Sequence, residues 1–265
     1  MTASARDATT ASVSAAASNT SHTTGSAPTA SSWVTLSRER VMPATTWPSS
    51  TSSGNSRTPI TPVAPARKIR IAMARITLRG GLEVDDPLEA ALRFAVAYPG
   101  YDSQVAAVNV FDERDLRLAN RGGARISAAE QAAILERRGQ IERALRRIRC
   151  DASLLDESIP WAALTPLFGG FGDIRGVGFS KMTKALHRKR PALIPILDSV
   201  VVGYLAHDDP PESFAEHATA LVRRYKEDLD RNGSALRSIR RELAARGHEL
   251  TEVRILDILT WSAFA

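Results

Sequence analysis

One cysteine in 265 residues, Cys150, excludes an intramolecular disulfide, and five scattered histidines leave no Cys/His cluster at metal-ligand spacing. Structural zinc is not expected, and no motif calls for a metal or a cofactor. Long apolar runs are missing as well. Nothing approaches the roughly 20 apolar residues of a membrane span or the shorter core of a signal peptide. The chain therefore reads as cytoplasmic, with no membrane partner. Its first quarter is also short of charge and of apolar periodicity. Met1 to Ala66 holds 27 Ser or Thr, prolines such as Pro28, Pro43 and Pro48, and only four cations, Arg6, Arg38, Arg40 and Arg57. Such a composition predicts a disordered tail over residues 1–66. A Ser-rich transit peptide, or a true start at Met42 or Met73, are the other readings of that stretch.

Residues 67–265 carry 31 Lys plus Arg against 27 Asp plus Glu, so the clustering of charge says more than its sum. Apolar residues recur at helical spacing through nearly all of this part, which predicts a single all-α multi-helix domain. Arg67 to Leu78 alternates basic and apolar residues and is expected as an edge strand or arm. Asp86-Pro87 is expected to cap and open a helix to about Tyr98, which Pro99-Gly100 stops. A short helix follows over about Asp112 to Asn120. Ser127 and Glu130 form a capping-box pair for a long helix carrying Ile134, Ile141 and Ile148. Pro160-Trp161 opens another helix, and Ile196 to Ala206 reads as a buried helix with Asp198 inside it. Pro210-Pro211 starts a helix that Asn232-Gly233 should end, Ala235 to Arg246 is a separate helix up to Gly247, and Thr251 caps the last one. Trp161 and Trp261 are expected in the core.

The most informative stretch is Ile174-Arg175-Gly176-Val177-Gly178-Phe179-Ser180-Lys181, running on to Asp198. Gly176 and Gly178 flank one apolar residue, which suits a tight interhelical hairpin that leaves amide groups at the start of the next helix. Such an end attracts phosphate. That helix carries Lys181, Lys184, His187, Arg188, Lys189 and Arg190, with no acidic residue from Arg175 to Leu197. Gly176, Gly178, Ser180, Lys181, Lys184 and Arg188 are thus candidate nucleic-acid contacts, with Lys181, Lys184 and Arg188 on one outward face. The plainer reading is a structural turn followed by a solvated basic face.

Asp198 stands among Ile194, Ile196, Leu197, Val200 and Val201, so burial is expected and a partner with it. It is the candidate catalytic residue, as general base or charge stabiliser. Against that stands a structural role, an ion pair with Arg188 or Arg190 or a helix N-cap. Asp257 poses the same question, and Arg254 three residues earlier is its local answer. Tyr101-Asp102-Ser103 and Asn109 could line a site with Asp198, but a turn explains them equally well. His207-Asp208-Asp209 reads as a polar loop.

From about Phe168 to Leu205 the pattern resembles the helix-hairpin-helix motif of DNA-repair glycosylases, where a downstream aspartate assists departure of the base. The matching position is Asp198. Lyase members carry a lysine two residues after the second glycine; Ser180 is there instead, and Met182 takes the place of a small residue, so the resemblance does not extend to lyase activity. Over Leu88 to Phe264 the chain also looks like an uncharacterised domain family of high-GC bacteria, on segments such as Arg117 to Arg125 and Lys184 to Val201. That resemblance implies no activity. Three readings remain: binding of DNA or RNA backbone through the hairpin and basic helix, glycosylase-like hydrolysis with Asp198 beside a concave pocket, or a helical interaction domain whose arginines pair internally with carboxylates.

Overall fold

A computed structural model describes residues 75–103, 107–206 and 210–264. The expected tail, 1–66, most of the Arg67–Leu78 segment and His207-Asp208-Asp209 lie outside them. Within them the architecture is all-α. Ten helices carry the fold, and the only sheet is a two-stranded antiparallel ribbon, β1 (Ile76–Thr77) against β2 (Glu83–Val84), joined by a 3-10 turn over Arg79–Gly81. The helices are α1 (Pro87–Ala97), α2 (Pro99–Asp102), α3 (Glu113–Arg121), α4 (Ala128–Glu136), α5 (Arg138–Leu145), α6 (Trp161–Gly169), α7 (Phe179–His187), α8 (Ser199–Leu205), α9 (Phe214–Ala245) and α10 (Glu252–Phe264).

Local chemistry sets most of the boundaries. Asp112 and Ser127 both close capping boxes, with Asp115 and Glu130 respectively, so the two donors freed at each helix start are satisfied. Gly247 takes φ +83°, and His248 N–H reaches the Leu243 carbonyl, a left-handed stop for α9. Thr251 Oγ1 accepts from Arg254 N at 3.1 Å and starts α10.

Several expectations need correction. Asp86 precedes α1 but has φ +43° and makes no side-chain cap. The segment from Ser127 to Ile148 is two helices, broken at Arg137. Asn232-Gly233 does not end α9, which runs unbroken for 32 residues. Asn232 instead turns its amide onto β1, accepting from Thr77 N (2.8 Å) and donating to Thr77 O (2.9 Å), so a tertiary bond replaces the turn that local preference favours. Asp198 is not inside a helix; it is the N-cap of α8. Trp161 is only half-buried, and Trp261 is 38% exposed.

Helix α10 is the centre of the fold. Every residue from Glu252 to Thr260 is buried, and the helix packs on α1, α8 and α9. A second organising element is the basic end of α7. Arg190 is fully buried and its guanidinium donates to the carbonyls of Leu145 (2.8 Å), Ile148 (2.7 Å) and Val108 (2.6 Å) and to Asn109 Oδ1 (2.8 Å). The orphan carbonyls at the end of α5 are thereby satisfied by a cation that suits the negative end of a helix. Lys189 is equally buried, paired with Asp115 at 2.5 Å and donating to Ala107 O at 2.9 Å.

Candidate functional site

The glycine hairpin forms, although only one of its glycines is left-handed. Gly176 has φ +84°, while Gly178 is extended and is the N-cap residue of α7. A Cβ added to Gly176 would collide with Glu130 Oε1. That carboxylate receives the Lys181 ammonium on both oxygens, at 2.6 and 2.8 Å, and Lys181 together with the Ser127 cap holds its proton affinity below the ordinary value against the opposing cost of desolvation. An intramolecular anion therefore stands beside the hairpin.

The basic residues of α7 do not share one outward face, contrary to the expectation from spacing. Lys181 turns to Glu130. Arg188 is half-buried with its guanidinium 5.8 Å from the centre of the Tyr101 ring. Lys189 and Arg190 are interior. The carboxylate partners expected for the buried arginines are not Arg190's; it is satisfied by carbonyls and an amide. Ser180 is half-buried in the first turn of α7.

Lys184 points elsewhere, into a cavity of about 490 Å³ whose walls include Arg121, Lys184, Asp198, Arg254 and Asp257. Its ammonium makes no hydrogen bond or ion pair with any described residue. A Cβ built on Gly123 would stand 3.8 Å from Nζ, so the glycine leaves the amine room. Burial depresses the Lys184 pKa, with the Asp198 carboxylate opposing.

Asp198 enters from the start of α8. Its Oδ1 accepts from Val200 N and Val201 N, both at 3.0 Å, which fixes the carboxylate and leaves Oδ2 without a hydrogen bond among the described residues. Both roles weighed for it coexist: it caps the helix and it lines the cavity.

Asp257 forms another part of the wall. It is 3% exposed, and Oδ2 accepts from Ile196 N at 3.0 Å. Oδ1 is buried with no partner. Arg254 lies 3.9 Å from Oδ2 but is committed to Asp102, to which it donates three hydrogen bonds of 3.0 to 3.2 Å. The nearby Tyr225 hydroxyl gives its one proton to Val253 O at 2.6 Å. Desolvation raises the Asp257 pKa to about 8, with Arg254 opposing, so the group is mainly a neutral acid at pH 7.

Aromatic rings make the rest of the cavity. Tyr101 is buried against Gly122, with its hydroxyl donating to Lys184 O at 2.7 Å. Phe94 stands 4.8 Å from Tyr98 and 6.0 Å from Trp261, centre to centre. Tyr98 is 55% exposed, so the rim presents ring surface to solvent.

Every residue that lines this cavity falls between 94 and 264. The profile of a family of unknown function, DUF6308, matches that same stretch, residues 94–264. The chain belongs to DUF6308. No curated protein and no solved structure matches it. The cavity is thus a property of the DUF6308 domain and not of the segment before it. Among the described residues no group of His, Cys, Asp and Glu could hold a metal ion, and no helix is long and apolar enough to cross a membrane.

Sequence reasoning found Asp198 and Lys184 but assigned Lys184 to a surface. It treated Asp257 as a local ion pair, Tyr101 and Asp102 as a turn, and Trp261 as core. Arg121, Gly122 and Gly123 entered only as a helix end. The signal that could have joined them is the repeated placing of charge inside apolar helices, Asp198, Arg254 and Asp257, which demands partners or a cavity.

Proposed function

We propose that the domain is a glycosylase-like hydrolase that cleaves an N-glycosidic bond in nucleic acid, working in the cavity beside Asp198. One observation carries this reading: Asp198, the residue matching the aspartate of the helix-hairpin-helix pattern, stands on the wall of a cavity large enough for a nucleobase. Its Oδ1 is pinned by two backbone amides, and Oδ2 is left for the reaction. In that role Oδ2 stabilises positive charge developing on the sugar, or takes a proton from the attacking water. The bond to the base breaks with its electron pair leaving on the base, and water supplies the new hydroxyl.

The remaining walls suit the same chemistry. Aromatic faces at the rim offer stacking to a planar ring, worth about 1–3 kcal/mol per base in general. Lys184 and Arg121 provide positive charge for phosphates next to the cleaved unit. Backbone contact through Gly176, Ser180 and the start of α7 is part of the reading, with Glu130 competing for Lys181. The purely internal reading has support from Lys189 and Arg190, whose burial explains their presence, but it leaves Lys184 and the free oxygen of Asp198 without a purpose.

The test is a DNA duplex carrying a pyrrolidine abasic-site analogue, whose cation imitates the charge on the sugar. The full chain is expected to bind it at least about tenfold more tightly than an unmodified duplex, as a transition-state analogue should be. Asp198→Asn is expected to remove that preference. Equal affinity of the unaltered chain for both duplexes contradicts the reading.

A further inference from the structure

A neutral carboxylic acid is a donor as well as an acceptor, and Asp257 has only its acceptor satisfied. Oδ2 takes the Ile196 amide proton, so the acid proton belongs on Oδ1, which is buried and has no acceptor in the protein. A buried donor left unmade is costly, and native structures rarely tolerate one without a reason. Asp257 lies on the cavity wall, where the missing acceptor can be supplied from outside the chain.

We propose that Asp257 Oδ1 is the ligand-recognising donor of the cavity, giving a hydrogen bond to an unprotonated ring nitrogen of a planar heterocycle. This rests on the glycosylase-like reading and adds to it: the helix-hairpin-helix resemblance covers Phe168 to Leu205 and says nothing of a second carboxyl group from the last helix. It also states a specificity. Rings whose edge offers a bare nitrogen fit a donor, whereas a ring edge that presents only N–H leaves two donors facing each other.

The surroundings keep the proton on Asp257. On its own helix Arg254 is the one nearby cation, and Asp102 from α2 neutralises it. From α9 comes Tyr225, itself raised well above its ordinary pKa by burial. Asp198, at the start of α8, adds negative charge that favours the protonated acid. On α7, His187 is buried and held near a pKa of about 3 by desolvation, hence uncharged, and the Lys184 pKa is itself lowered by burial. Tyr101 and Arg121 complete the charged or titratable lining, and Tyr101 is neutral because burial raises its pKa.

Adenine and cytosine are suitable probes, because each has a bare ring nitrogen and neither titrates between pH 6 and 9. Binding to the full chain is followed by calorimetry across that window. Affinity is expected to hold up to about pH 8 and to fall towards tenfold per pH unit above it, as the ligand binds only the protonated site. Asp257→Asn keeps an acceptor for Ile196 and a non-titrating donor, so its affinity should stay flat with pH. Asp257→Ala should lose binding by tenfold or more. Three results overturn the proposal: neither base binding at pH 6, affinity of the unaltered chain that does not change with pH, or Asp257→Asn retaining the full pH dependence. Base release from nucleic acid is scored separately. Release together with pH-independent base binding removes the role of Asp257 and leaves the hydrolase reading standing. The expected pH profile without any release does the reverse.

Discussion

Asp198 and Asp257 are two carboxyl groups on one cavity with opposite surroundings. The first is held by backbone donors at a helix start, the second by burial among apolar residues with one amide. Replacing Asp198 by Ala removes a cap and is expected to cost about 1 kcal/mol of stability, readable by urea denaturation. Asp257 predicts a pH effect. Its folded-state pKa of about 8 lies above the ordinary carboxyl value, so the folded chain holds a proton that the unfolded chain releases. That contribution is complete below about pH 4 and is lost as pH rises to about 8. The stability difference between Asp257→Asn and the unaltered chain should therefore shift in favour of the variant from pH 4 to 8 and level off above. His187 acts in the other direction. Its pKa is depressed to about 3 by burial, so its contribution is present above about pH 6.5 and is lost on acidification towards pH 3. His187→Gln is expected to flatten the acid limb of a melting-temperature profile.

At the scale of elements, the end of α7 and the hairpin before it are held by interior chemistry. Lys189→Met leaves Asp115 buried and unpaired, and Asp115 is already raised above its ordinary pKa by desolvation. The loss should be about 3–5 kcal/mol by thermal or chemical denaturation. Gly176→Ala meets a left-handed φ and the Glu130 carboxylate together, and is expected to cost at least about 1–2 kcal/mol. Much of this level was legible in the sequence. Capping boxes at Asp112 and Ser127, the stop at Gly247 and the cap at Thr251 are local devices, so local patterns reveal them. The continuity of α9 was not legible, because Asn232 is kept helical by a bond to Thr77, a residue far away in the chain. The basic run of α7 misled for a similar reason: spacing shows which side chains share a face of a helix but not what that face meets. Here it meets Glu130, the end of α5 and the cavity.

For the whole molecule, the cavity is built from helices separated in sequence: α1 and α2, the end of α3, α7, the start of α8 and α10. No window of the sequence contains it. Charges within apolar helices announced that something had to answer Asp198 and Asp257, and Arg254 was visible as a local partner. The structure shows Arg254 answering Asp102 instead, which leaves one carboxyl oxygen of each aspartate unsatisfied. Trp261, which apolar periodicity placed in the core, is displaced to the rim because Phe94 and the cavity occupy the space beneath it. Assembly of these parts is what turns a helical domain with a glycine hairpin into one with a site.

The central claim is that this site removes a base. It is tested by incubating the full chain, and separately Asp198→Asn, with duplex and single-stranded oligonucleotides carrying damaged or mismatched bases and with free nucleosides, and measuring liberated base by mass spectrometry. The account predicts release from nucleic acid by the unaltered chain and a fall of about a hundredfold or more in Asp198→Asn, the usual size of a lost acid–base or charge-stabilising group. No release from any substrate, or release that Asp198→Asn leaves unchanged, would contradict it.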